Sequence, residues 1–175
     1  MALENVSLGG REYDEVCKLI TASYPNSCVL WIDRVVNAEL EGQYEAYKFG
    51  LVERHGKAQE LRVFHGTREE NINSIIRDGF DPSKNRRSAL GVGSYFAASA
   101  SYSKEYSDES HDGLSHMFVC KLSVGSVCRG STGLQIDTSR HDCAVDNPMK
   151  PTLYVTPARH AAVPEYLVVF HKNAQ

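Results

Sequence analysis

A chain of 175 residues, 42% hydrophobic and 23% charged, fits one globular domain with a real core and excludes a disordered or fibrous polypeptide. Its net charge of −3 gives bulk electrostatics no part in holding nucleic acid or an anionic membrane. Lys57 to Arg68 and Lys84 to Arg87 are locally basic and read as solvated surface.

In chain order, the first residues end in Gly9-Gly10 and predict a flexible arm over 1–11, with one domain over 12–175. Tyr13, Val16, Cys17, Ile20 and Tyr24 recur at helical spacing, and Pro25-Asn26-Ser27 closes that helix. Cys28 to Val36, rich in Val, Ile and Trp, reads as a strand. Leu40, Tyr44, Tyr47 and Leu51 share a face of a second helix, weakened by Gly42 and Gly50. After a turn at Gly56, the short strand Leu61–Phe64 delivers His65. Thr67 with Glu70 has the spacing of a capping box, Ile72, Ile75 and Ile76 line one helical face, and Gly79 ends the helix. His65-Gly66 therefore stands at a strand-to-helix junction, where backbone amides can face a ligand.

Asp81 to Leu90 is a long polar loop. Ser94–Ala97 reads as a short strand, Ala98–Tyr106 as a helical turn, and Ser107–Ser115 as another loop. Met117–Val124 reads as a strand and Val127–Arg140 as irregular. Thr152–Thr156 and Tyr166–Phe170 are β-rich, the second nearly continuous and so expected at the centre of a sheet. Helices early and strands late predict an α+β domain. The odd set Cys17, Cys28, Cys120, Cys128 and Cys143 contains no Cys-x-x-Cys, which predicts reduced thiols in the cytosol or nucleus. No zinc-like His/Cys spacing, apolar leader or membrane-length segment is present, so neither a metal nor a membrane is expected.

Four residues stand out chemically. A glycine beside His65 lets a ligand reach main-chain N–H and C=O, the donor and acceptor that a carboxamide needs. Tyr95 is surrounded by Gly91, Gly93, Ala97 and Ala98, which leaves room beside its ring. Ser103 and Tyr106, three apart, share a helical face. Each has a commoner structural fate: a strand-end histidine, core tyrosines, an exposed serine. Their conjunction is what points to gripping a flat, amide-bearing ring on a ribose.

In this order, Phe64-His65-Gly66-Thr67, Asp78-Gly79-Phe80, Gly91-x-Gly-x-Tyr95-Phe96-Ala97, Tyr102-Ser103-x-x-Tyr106, Asp146-Asn147-x-x-x-Pro151 and Pro164-Glu165-Tyr166-Leu167 resemble the catalytic domain of poly(ADP-ribose) polymerases, the diphtheria-toxin-like ADP-ribosyltransferases. The likeness runs over roughly residues 12 to 171. It implies two packed, antiparallel-rich sheets with flanking helices, and NAD as donor substrate. It implies further that His65 bonds a ribose hydroxyl, that the Gly66 main chain and Ser103 hold the carboxamide, and that Tyr95 and Tyr106 sandwich the ring. Thr67 falls on the adenosine side, and the 81–90 loop covers the donor, with Arg86 or Arg87 toward the pyrophosphate.

The third catalytic position departs from the polymerising members. Twelve residues ahead of Glu165, where they carry glutamate, stands Leu153. The resemblance thus implies a His65, Tyr95, Leu153 triad, and with it transfer of a single ADP-ribose to a protein acceptor, the chain itself included. Glu165 is expected to be structural. The alternatives are a non-catalytic module that binds NAD or ADP-ribose, and a polymerase using another carboxylate; nucleic acid as acceptor stays open. The family's autoregulatory helical region and accessory modules find no counterpart in this sequence, so a catalytic domain is expected, either free-standing or cut from a longer protein.

Overall fold

The computed structural model describes residues 1–85, 88–107 and 113–171. Among these, the elements run β1 (Ala2–Asn5), α1 (Arg11–Thr21), β2 (Cys28–Val36), α2 (Ala38–His55), β3 (Gln59–Thr67), α3 (Glu69–Asp78), β4 (Ser94–Ala97), α4 (Ala100–Ser103), β5 (Leu114–Val124), β6 (Val127–Arg129), β7 (Cys143–Val145), β8 (Leu153–Thr156) and β9 (Ala162–His171). The strands lie in the order β1-β2-β9-β5-β3-β4-β8-β7-β6. Every pairing is antiparallel except β6 with β7. The domain is α+β, and β9 is interior as its apolar run predicts.

The two expected sheets are joined into one ladder by a single residue pair, Phe64 with Ala97. By contrast β3 pairs with β5 over nine positions, and β4 with β8 over four. The sheet thus has a narrow neck between β3 and β4, and the candidate site lies there.

The helices form where the apolar spacing places them. Tyr13, Val16 and Ile20 of α1 are buried, while Glu12 and Asp14 complement the dipole at its start. They pack with Phe64, Met117, Val119, Val168 and Phe170 on one face of the sheet. On the other face Ile72, Ile75 and Ile76 of α3 meet Val63, Phe96, Phe118 and Leu122, each buried isoleucine contributing about 2 kcal/mol. α2 is stopped at both ends: Asn37 Oδ1 accepts from Leu40 N at 3.2 Å, and Gly56 takes the left-handed φ of 73°.

Three expectations are corrected. Residues 2–5 are no unpacked arm: they form edge strand β1 on β2, and Val6 behind them is buried. The capping box at Thr67 does not form, because Thr67 ends β3 with its side chain buried in the sheet face, and Arg68 takes the N-cap position without a side-chain capping bond to the helix start. Val127–Arg140 is not wholly irregular, since its first three residues make β6. Glu165 is the extra residue of a bulge in β9, which also seats Pro164 where the register shifts, and its carboxylate binds Arg62 at 3.0 Å and Lys121 at 3.5 Å.

Candidate active site

Directly opposed residues in an antiparallel ladder point to the same face, and neighbours along a strand alternate. The pair Phe64–Ala97 therefore puts Gly66 and Tyr95 on one face, and His65, Thr67 and Phe96 on the other. Ala97 pairs in turn with Leu153 and Tyr95 with Val155, so Leu153 shares the Tyr95 face on the adjacent strand. Beyond Phe64 the two strands part, and the β3 edge at His65–Thr67 has no strand partner on the β4 side. The predicted residues converge on this neck from both faces.

His65 bridges it. Its Nδ1 lies 2.8 Å from the carbonyl oxygen of Tyr95, replacing with a side chain the ladder bond that the parted strands lack. A carbonyl only accepts, so Nδ1 carries the proton. The ring is packed edge-on to Phe80 at 4.9 Å and tilted to Phe96 at 5.6 Å. This burial lowers its pKa below 6.5, against a smaller upward pull from the Tyr95 carbonyl. At neutral pH His65 is therefore a neutral imidazole whose Nε2 is an acceptor, on a residue that is half-buried as a whole.

Gly66 is required by packing. A Cβ there would stand 1.9 Å from the Ser103 carbonyl oxygen and 2.9 Å from Ser107 Oγ. So α4 sits on the backbone of β3 itself, and Gly66 sets how close Ser103 comes. Ser103 is buried, and its hydroxyl donates to the Phe64 carbonyl at 3.0 Å. A hydroxyl has one proton and two lone pairs, so in this arrangement Ser103 Oγ can still accept.

Tyr95 holds the loop before its own strand. Its hydroxyl donates to the Gly91 carbonyl at 2.7 Å and accepts from Leu90 N at 3.0 Å. Gly93, beside it, has no room for a Cβ, which would lie 2.4 Å from the Thr156 carbonyl oxygen. Tyr106 follows α4 in a 3-10 turn, Lys104–Tyr106, where residues three apart eclipse, so the expected shared face with Ser103 is kept. Its ring tilts against Tyr102 with centroids 5.3 Å apart, and its hydroxyl donates to that of Tyr102 at 2.7 Å. Thr67 is buried, with Oγ1 at the outer limit of a bond to the Arg68 carbonyl, 3.5 Å.

The 81–90 loop is anchored at its start and near its middle. Arg159 Nη2 meets Asp81 Oδ2 at 2.6 Å, and Asn85 Nδ2 donates to the Gly93 carbonyl at 2.7 Å. Arg86 and Arg87 lie outside the described residues. Sequence reasoning missed the aromatic packing that neutralises His65, although Phe80 and Phe96 were visible as neighbours of glycine and tyrosine. It also missed the anchor at Asn85, which has no local signature. Among the described residues no cluster of three or more His, Cys, Asp or Glu could hold a metal ion, and no helix is long and apolar enough to cross a membrane.

An α+β domain with a strand-end His-Gly and a glycine-flanked tyrosine is what the ordered sequence elements led us to expect; the parting of the sheet between them is a finding of the structure. The family profile of the poly(ADP-ribose) polymerase catalytic domain matches residues 10–152, and the chain belongs to that family. Among curated proteins it is 29% identical to the mouse (Mus musculus) protein mono-ADP-ribosyltransferase PARP12, over 97% of this chain and 25% of that protein. It is likewise 29% identical to the human (Homo sapiens) protein mono-ADP-ribosyltransferase PARP14, over 92% of this chain and 10% of that protein. A probable poly [ADP-ribose] polymerase of Dictyostelium discoideum is 28% identical over 98% of this chain and 53% of its own length. The chain thus spans a tenth to about half of the length of these relatives.

Proposed function

We propose that this domain is an NAD-dependent mono-ADP-ribosyltransferase. It cleaves the bond between nicotinamide and ribose, transfers one ADP-ribose to a protein acceptor, itself included, and releases nicotinamide. The nucleophile on the acceptor forms the new bond to the anomeric carbon and gives up its proton; the nicotinamide nitrogen takes the bonding pair and leaves neutral. No strong acid is needed, because the leaving group starts cationic. What the protein supplies is grip and orientation for a ribose that becomes oxocarbenium-like.

The roles follow from the neck. The neutral His65 accepts a ribose hydroxyl proton at Nε2, the edge of Gly66 meets the carboxamide, and the faces of Tyr95 and Tyr106 enclose the ring. Ser103, with its proton on Phe64, accepts from the carboxamide N–H₂ and turns to donate to its oxygen only by giving up that bond. Thr67 belongs to the adenosine side. Tyr95 acts through its ring, because its hydroxyl is bound into the 90–91 loop.

The observation that carries single transfer is Leu153, which shares the Tyr95 face by register and offers no carboxylate to activate a growing chain. The names of the mammalian relatives support the same reading, and the Dictyostelium name marks polymerisation as the outcome to exclude. The first test is nicotinamide release from NAD. We expect turnover by the wild type and at least a hundredfold less in His65→Ala. Thermal stabilisation by NAD with no nicotinamide released would mean a binding module instead.

A further inference from the structure

We propose that Asp146 is the positioning residue of the third catalytic position: its carboxylate fixes the start of β8 and so sets where Leu153 stands relative to Tyr95. The role rests on the function proposed above. The strand that carries Leu153 is only four residues long, and Leu153 is its first, next to the exposed connection from β7 in which Met149 is 92% exposed. The end of so short a strand beside such a loop is where pairing opens most easily. Yet the reaction needs that end held to a fraction of an ångström.

Asp146, the residue directly after β7, supplies the hold. Its Oδ1 accepts from Thr152 N at 2.9 Å and Leu153 N at 3.0 Å, and its Oδ2 accepts from the Thr152 hydroxyl at 2.6 Å. On the other side, the Thr152 carbonyl accepts from Ala98 N at 2.9 Å, just beyond the Ala97–Leu153 pair. The carboxylate thus ties the neck of the β7–β8 connection at the one point where Leu153 enters the sheet. Burial pushes its carboxyl upward, but the hydrogen bonds from Thr152, Leu153 and Asn147 outweigh this and hold it below the ordinary aspartate value, so it is ionised throughout the neutral range. His65, Gly66, Ser103 and Tyr106 stand on other elements, and Tyr95 pairs with Val155, two residues further into β8, so loss of Asp146 leaves the grip on NAD largely in place.

The test is steady-state nicotinamide release, with amide hydrogen exchange, on wild type, Asp146→Ala, Asp146→Asn and Thr152→Val. We expect Asp146→Ala to lower kcat about tenfold with KM for NAD within about twofold, and to speed exchange at the Leu153 amide about tenfold or more while Val155 stays protected. Asparagine keeps Oδ1 as an acceptor and restores most of kcat; Thr152→Val removes one bond of three and gives a smaller loss. If the alanine variant does not fold, these two carry the comparison. Wild-type kcat in Asp146→Ala, unchanged exchange at Leu153, or an asparagine variant as poor as alanine each overturns the role of Asp146. A wild type that releases no nicotinamide fails the functional reading instead, and the exchange measurement still decides whether Asp146 fixes Leu153.

Discussion

His65 and Gly66 are adjacent residues with separate jobs on opposite faces of the sheet. His65 is kept neutral by Phe80 and Phe96 and kept in one tautomer by Tyr95, so its acceptor atom is ready before any ligand arrives. Because its folded pKa is depressed, the unfolded chain takes up the proton first as pH falls. Its contribution to stability is thus complete above about pH 6.5 and is lost progressively below it. His116, buried on the same face opposite Thr67, is lowered by burial too, against a smaller upward pull from Glu69, and adds in the same direction. We expect urea-denaturation stability to decline from about pH 6.5 downward, and kcat/KM to fall only at lower pH, as His65 itself takes up a proton in the folded state. Activity rising on acidification would contradict a neutral His65. Gly66→Ala drives a methyl into the Ser103 carbonyl, so we expect about 2–3 kcal/mol of destabilisation by denaturant titration and loss of NAD turnover together. The His-Gly pair was legible in the sequence. The reason for the glycine was only half so, because the approach of α4 to β3 is a tertiary contact between residues some forty apart.

Among the elements, the helices and the short strands β4 and β8 were read well, whereas β1, β6 and β7 were missed. α1, α2 and α3 each repeat their apolar face over several turns, so periodicity finds them. β6 and β7 have three residues each, too few for an alternating pattern, and β1 is exposed along its length, so it carries no alternation of buried apolar and exposed polar residues. These weak elements are held by side chains. Asp142, 8% exposed just before β7, binds Arg54 at 3.0 Å, Ser126 N at 2.8 Å and His55 at 2.8 Å, which ties the end of α2 to the turn between β5 and β6. Asp142→Ala leaves the partly buried amide of Ser126 without its acceptor. Because Arg54 and His55 keep solvent access, we expect a cost of about 2 kcal/mol, read as a lowered denaturation midpoint. A midpoint unchanged within error would show that the network contributes nothing.

For the whole molecule, the strand order is the feature least available to sequence reasoning. β9, last in the chain, inserts between β2 and β5, and the two halves of the ladder meet at one pair. No local pattern states either fact, since both depend on which strands find each other in space. The ordered conjunction of His65, Tyr95, Ser103 and Tyr106 was nevertheless enough to point to the candidate site, because it rests on residue chemistry around one junction. The α+β class and the family match belong together, and in the function proposed above Leu153 is the residue on which the product turns. The most direct measurement is incubation with NAD labelled in its adenylate portion, followed by denaturing electrophoresis and intact mass. We expect discrete increments of one ADP-ribose per modified site on the acceptor or on the chain itself, absent in His65→Ala. A ladder of heavier products that lengthens with time, or nicotinamide release that survives His65→Ala unchanged, would contradict the account.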